Sequence, residues 1–364
     1  MNTVQQERLL SLDFFRGITM LLLIVEFTHV FTYMTDPKLE GTIIYALGMQ
    51  FHHHPWNGLR FWDLIQPFFM FIVGVAMPFS FRNRTNRGES YSVIRNHAIK
   101  RAIVLLVLGW ALYCIDPGRI TWRFQNVLAQ LSVTYIIAFF LMQRSMRTQL
   151  VISLAILAAT ESIYRLFPLA SFNQPFVPDQ NFGAYFDLLI SGELSDGHWV
   201  SFNALPTTAH TIWGVMTGQL LMSEREDGRK LKILIVAGLV CLLAGYLLDP
   251  ITPIIKRIST TSFVLASGGW TILALAFSYW LIDMKKKRGG VLFFSVVGMN
   301  PLFIYLFSHV GGAELISNVV KPFSMAVFSV VGPLTAKIVT GLIAWFLLWY
   351  MCYWLYKKRV FIRV

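Results

Sequence analysis

Leu59-Arg60-Phe-Trp-Asp63-Leu-Ile-Gln66-Pro67-Phe-Phe-Met-Phe-Ile-Val-Gly74-Val-Ala-Met-Pro78-Phe-Ser-Phe81 carries two charged side chains, Arg60 and Asp63, both near its start. The rest is long enough to cross a bilayer core of ~30 Å, which takes about 20 apolar residues as a helix. Helices satisfy their own backbone polar groups, so repeated apolar blocks of this length read as spans. They recur along the chain, without the short alternating strands of a barrel.

Working outward from this block, the sequence predicts an all-α polytopic integral membrane protein. Ten transmembrane helices are expected, at 12–33, 59–81, 100–115, 125–142, 149–168, 205–223, 231–248, 261–283, 291–310 and 334–356. An extra helix within 311–333 would make eleven. The chain reads as one domain, 1–364. Its 364 residues are 55% hydrophobic and 14% charged, against about a quarter charged in soluble domains. The mean hydropathy is +0.58. The first block carries Asp13 and Arg16 and no small-residue cleavage site, so it reads as a retained helix rather than a cleaved leader. Cys114, Cys241 and Cys352 lie far apart, with neither disulfide nor metal-ligand spacing.

The formal charge of +12 would suggest nucleic acid in a soluble protein. Here 21 of the 31 Lys and Arg fall in one set of alternate loops and the termini, from Arg8 to Arg363. By the positive-inside rule that side is cytoplasmic, with both termini, and no nucleic-acid partner is expected. The segments 34–58, 116–124, 169–204, 249–260 and 311–333 are then outward.

Ionisable side chains inside spans are costly and are functional candidates by default. Asp13 and Arg16 are three apart and can pair. Arg16, followed by Gly17, also suits a phosphate. Glu26 and His29 are three apart and could form an acid–base pair or simply satisfy each other. His52-His53-His54-Pro55-Trp56-Asn57-Gly58 stands just outside the second span, followed by Asp63 and by Pro67, which is expected to break the helix ladder. Imidazole is the side chain best poised to exchange protons near neutral pH. An interfacial aromatic belt remains the alternative. Adjacent histidines cannot all face one ion, so no metal is expected. Gln130, with Arg123, Gln125 and Asn126, offers amides for a sugar or for interhelical bonding. Thr207 or Thr208 could cap the helix that carries His210. Asn300-Pro301 interrupts a span, as cavity-lining helices often do.

These stretches resemble a family of transmembrane acyltransferases that includes heparan-α-glucosaminide N-acetyltransferase. The matching segments are Arg8-Leu-Leu-Ser-Leu-Asp13-Phe-Phe-Arg16-Gly17, His53-His-Pro-Trp56-Asn57-Gly58-Leu with Asp63 to Gly74, Val127 to Tyr135, Thr208 to Gly214 and Gly298-Met-Asn300-Pro301. The chain departs from the family pattern at Phe27, where Asn is usual, and at Gln66, where Phe is usual.

The resemblance implies an acetyl-CoA-dependent N- or O-acetyltransferase. Acetyl-CoA would enter from the cytoplasm, and the acceptor would be an amino sugar or related glycan outside a bacterial inner membrane. It implies His53 as the active-site histidine, acting as general base or acetyl carrier, with Asp63 to orient it. Arg16, Arg82, Arg84, Lys100 and Arg101 would serve the CoA phosphates. Glu26, His29, Trp56, Asn57, Gln130, His210 and Asn300 would face substrate, with Asn57 or Asn300 donating to an oxyanion. The bilayer, the donor and the acceptor are the expected partners, and a homodimer is compatible with these features. An inner-membrane amino-sugar transporter is the alternative function.

Overall fold

A computed structural model describes residues 9–115 and 117–362; Arg8 and Arg363 lie outside them. Among the described residues the chain is helical throughout, with no β-strand. Seven helices are long and apolar enough to cross a membrane: Phe61–Asn86, Tyr91–Ile115, Met146–Leu166, Asp227–Leu248, Thr261–Met284, Pro301–Phe328 and Pro333–Lys357. This is the pattern of a multi-pass membrane protein. Leu10–Glu26, Val127–Leu141 and Ala204–Leu221 occupy three more of the expected spans but are shorter or more polar.

Four local expectations change. The first span stops at Glu26, and His29 takes a left-handed φ of 59° before a short helix, Val30–Met34. Glu26 and His29 are therefore not successive positions on one helix face. Pro67 sits in the first turn of the Ile65–Asn86 helix, where its missing N–H costs nothing; Pro78 is the proline inside that helix. Thr207 and Thr208 lie within the Ala204–Leu221 helix and return their hydroxyls to the carbonyls of Asn203 and Ala204, so they do not cap it. The ninth expected span breaks at Asn300, after Val291–Met299. The chain then continues through Pro301–Phe307 and a π-helical turn into Ala313–Phe328, so 311–333 is largely helical.

The chain divides into two compact units. In the unit Gln50–Ile272, Ala204–Leu221 is the central helix, packed by Ile65–Asn86, Val127–Leu141 and Met146–Leu166. It is buried nearly all round, so its Thr207, Thr208, His210, Thr211 and Thr217 face protein rather than lipid. Trp213 donates to Ser153 Oγ at 2.9 Å, and His210 Nε2 lies 3.1 Å from the Val264 carbonyl. Tyr91–Ile115 and Asp227–Leu248 instead leave most of their Ile, Leu and Val side chains exposed, as a lipid-facing surface would. Ile65–Asn86 and Ala204–Leu221 meet at Gly74, Gly214 and Gly218, each placed directly against a carbonyl of the other helix. Small residues are what permit such close backbone approach in a bilayer.

The second unit gathers the residues up to Met49 and those from Leu273. There Leu10–Glu26 packs on Val291–Met299 through Gly17 and Gly298, and Ala313–Phe328 packs on Pro333–Lys357. Ser324 and Thr340 hydroxyls meet at 2.5 Å across the latter pair.

A methyl group at Gly214 would strike the Phe71 carbonyl, which cannot move away, whereas nothing lies within 4 Å of one at Gly228. Gly214→Ala is expected to cost about 1–3 kcal/mol, in the range of overpacking. Gly228→Ala should be neutral or stabilise by up to about 1 kcal/mol. Thermal unfolding of both variants in one detergent measures the contrast; equal midpoints would refute the close helix approach.

Candidate active site

Asp63 is the third residue of a short 3₁₀ turn, Phe61–Leu64, and its carboxylate reaches back to the Arg60 N–H at 2.9 Å in a capping box. The same oxygen, Oδ2, accepts from the His54 N–H at 3.2 Å. The other, Oδ1, is 2.8 Å from His53 Nδ1. Arg60 closes the turn by donating from its guanidinium to the His53 carbonyl at 3.1 Å. The segment 53–63 thus folds around one carboxylate with no solvent exposure. Gly58 is required here: its φ is +143°, and any Cβ would run into the His54 ring.

Two further loops of the same unit close on this segment. Asn57 and Ile255 form an isolated antiparallel bridge, and the Gly58 N–H donates to the Ile254 carbonyl at 2.8 Å. This brings in Lys256, whose Nζ stands 3.1 Å from His53 Nδ1 and 3.8 Å from Asp63 Oδ1. The loop before Ala204 contributes Trp199. Its ring meets His53 edge-on with centroids 5.1 Å apart, and Lys256 and Arg257 both lie over it, at 5.4 and 5.3 Å. Arg257 also donates to the Gly197 carbonyl. Trp56 donates to the Phe176 carbonyl at 2.7 Å and packs against His198, whose Nδ1 is 2.7 Å from Asp179 Oδ2.

The His53 side chain keeps 30% of its surface exposed. Burial of the remainder, and the Lys256 ammonium beside it, lower its pKa from 6.5 to about 4 against the opposing pull of Asp63. The imidazole is therefore neutral at physiological pH. Asp63 and Lys256 both engage Nδ1, which leaves Nε2 as the nitrogen available for proton exchange. Burial and Arg60 lower the His54 pKa as well.

The expected residues do not all come together. His53, Asp63, Trp56 and Asn57 stand together at the end of the unit where Ile65–Asn86 begins. Gln130 lies in a buried chain of amides: Gln66 donates to it, it donates to the Gln125 carbonyl at 2.9 Å, and Gln125 donates to Asp187 at 3.1 Å. His210 is enclosed among Val264, Ser267 and Trp213, with Nε2 turned toward the Val264 carbonyl and Ser267 Oγ. Arg82 and Arg84 are at the far end of Ile65–Asn86, where Arg84 pairs with Glu89 at 3.2 Å. Lys100 and Arg101 lie within Tyr91–Ile115, and Arg101 covers the Tyr135 ring at 4.9 Å.

Arg16, Glu26, His29 and Asn300 belong to the other unit. Arg16 pairs with Asp13 at 2.5 Å. Asn300 holds the C-terminal segment, donating to the Val360 carbonyl at 3.0 Å and accepting from the Ile362 N–H at 2.8 Å, so its amide is spent there. Among the described residues, no group of three or more His, Cys, Asp or Glu is arranged to hold a metal ion.

Lys256, Arg257 and Trp199 were not singled out in the sequence. One signal was present: a Lys-Arg doublet in a loop assigned outward, against the charge rule that otherwise sorts this chain.

Comparison with known proteins finds two local similarities. A stretch of 94 residues, 24% of this chain, is 33% identical to mouse heparan-alpha-glucosaminide N-acetyltransferase. A stretch of 139 residues, 36% of the chain, is 30% identical to the human protein of the same name. These stretches span 14% and 18% of the two relatives' own lengths. No family model matches. The chain is thus similar, over part of its length, to an N-acetyltransferase.

Proposed function

We propose that this chain is a membrane acyltransferase that moves an acetyl group from cytoplasmic acetyl-CoA to an amino sugar or related glycan acceptor on the outer face. The chain acts as one domain of about ten spans in a bacterial inner membrane, with both termini cytoplasmic. The observation that carries this reading is the Asp63–His53 pair at 2.8 Å, beside two tryptophans where three loops converge. Asp63 fixes the ring through Nδ1, and Nε2 acts as general base. As the acceptor nitrogen or oxygen bonds to the acetyl carbon, its proton passes to Nε2. The C–S bond breaks, and the proton goes on to the departing thiolate. Trp56 and Trp199 offer apolar faces to a sugar ring, and Asn57, exposed beside Trp56, can donate to the developing oxyanion.

Helical rise limits where the CoA phosphates can sit. Arg82 and Arg84 follow Asp63 by about 20 residues, about 30 Å at 1.5 Å per residue. The pantetheine arm is about as long as five residues and reaches at most about 18 Å. Arg82, Arg84 and Lys100 therefore collect the anionic donor at the cytoplasmic end, and Arg101, ten residues into its helix, is the deepest of these cations. Gln130 and its amide chain lie between helices along the route of the arm.

His53→Ala is expected to lower acetyl transfer from labelled acetyl-CoA to an amino sugar by ~10²–10⁴ while acetyl-CoA binding persists. His52→Ala should cost far less. Full activity in His53→Ala would remove the assignment, and sugar movement across proteoliposomes without acetylation would instead identify a transporter.

Arg101→Gln should weaken acetyl-CoA binding more than Arg82→Gln, and the Arg82→Gln deficit should vanish at high salt, where exposed charges are screened. The reverse ranking would place the phosphates at the helix end and require a different route for the acetyl group.

A further inference from the structure

A buried ammonium is costly unless it is paired, and Lys256 is 6% exposed. Its loop is built to hold it still. Thr260 Oγ accepts from the Ile255 N–H at 3.0 Å and donates to the Pro253 carbonyl at 2.7 Å. Asp249 accepts from the Ile254 N–H at 2.8 Å, and Ser259 donates to the Lys256 carbonyl at 3.1 Å. Arg165 and Glu161, on the Met146–Leu166 helix, grip the Ile251 carbonyl and Thr252 from below, at 2.8 and 2.7 Å. The ammonium is thereby delivered to Nδ1 of the histidine and Oδ1 of the aspartate together.

We propose that Lys256 is a positioning residue that keeps His53 in its neutral, proton-accepting state and Asp63 ionised. This rests on the acyltransfer reading for its purpose, though not for its test.

The charge balance of the cluster supports this role. The groups facing the His53 ring are Asp63 from its own segment and Lys256 and Arg257 from the 249–260 loop; Arg60 lies against its carbonyl, and His52 and His54 flank it. One carboxylate faces two nearby cations, so a proton on His53 would add a further positive charge to a cluster that already carries an excess. Without Lys256, the buried Asp63 would favour the imidazolium, as carboxylate–histidine pairs do. Nδ1 can donate to Asp63 or accept from Lys256, but not both at once. Donation to Asp63 leaves the lone pair on Nε2; acceptance from Lys256 puts the proton there. The base is free when Nδ1 donates to Asp63, and the nearby ammonium charge that keeps the ring neutral at rest also makes the protonated form a stronger acid for returning its proton to a thiolate.

The test reads the protonation of His53 directly. Diethylpyrocarbonate acylates neutral imidazole, and mass spectrometry of the 51–60 peptide resolves the site. At pH 5 a histidine of ordinary pKa is about 3% neutral and one near 4 is about 90% neutral. Wild-type His53 is expected to react at pH 5 nearly as fast as at pH 7, and faster than in Lys256→Met, whose profile moves up by the part of the shift that Lys256 adds to burial. Lys256→Arg should preserve the wild-type profile, and Lys256→Gln provides the neutral comparison if the Met variant fails to fold. The acid limb of acetyl transfer should move up with the same substitutions. A wild-type His53 that titrates near 6.5, or neutral variants that react less at every pH without a shifted profile, overturn the proposal. Sugar movement without acetylation would remove the acyltransfer reading, and full transfer by His53→Ala the assignment of His53 as its base; either would leave this titration as measured.

Discussion

A carboxylate with no exposed surface must find every hydrogen bond within the protein, and Asp63 finds them by drawing the chain around itself. Its two oxygens accept from a backbone N–H inside its own turn, from the His54 N–H and from the His53 ring, with a lysine beyond. Removing any one partner would leave buried charge uncompensated, which is more costly than the partner itself is worth. The loop from 53 to 63 is thus held by one side chain. The histidine orientation, the left-handed glycine at 58 and the bridge to Ile255 are consequences of holding it.

The helices below solve a different solvent problem. Ala204–Leu221 carries four buried threonines and a buried histidine, polar surface that lipid would reject, and it is accepted because neighbouring helices surround it. Its glycines let Ile65–Asn86 approach to carbonyl contact, so the helix that begins just after Asp63 is fixed in position by its backbone. Met146–Leu166 does the same for the opposing loop through Glu161 and Arg165. Rigid helices therefore hold both sides of the His53 cluster, as a proton-transfer geometry demands.

The apolar blocks and the helical class were legible in the sequence, because span length is a local property; the His53–Asp63 pairing was expected only from the family resemblance, since the capping turn that sets it was not foreseen. Helix interruptions were less so. The expected 12–33 span ends at Glu26, since the turn through Phe27 to His29 is decided by packing, where Gly341 lies against the Thr28 carbonyl. Pro67 looked like a breaker because its position within the helix could not be counted before the 3₁₀ turn was known. His210 and Asn300 looked like substrate ligands because a polar residue in a span is expensive whichever group satisfies it. In the structure His210 Nε2 faces Val264 and Ser267, and the Asn300 amide holds the C-terminal backbone. Lys256 was missed for the converse reason: its partners lie about 200 residues away, and nothing local announces a long-range ion pair.

Membrane thickness then divides the work along the chain. The Ile65–Asn86 helix has 22 residues and spans about 33 Å, with His53 near one end and basic side chains at the other. A soluble enzyme can bind both reactants in one cleft, but in the proposed reaction the donor's charge would favour one face while the histidine stands at the opposite end. In the proposed reaction the acetyl group would cross the distance left between the deepest cation and His53 on an arm of at most about 18 Å, and an arm carrying amides is poorly solvated by hydrocarbon. The buried amides of Gln66, Gln130 and Gln125 offer an exchange of hydrogen bonds along the way, where apolar side chains would offer none. On that proposal a histidine that is neutral before the arm arrives would complete the arrangement, because an imidazolium at the end of the route would repel the protonated amine of an arriving amino sugar and could not accept its proton.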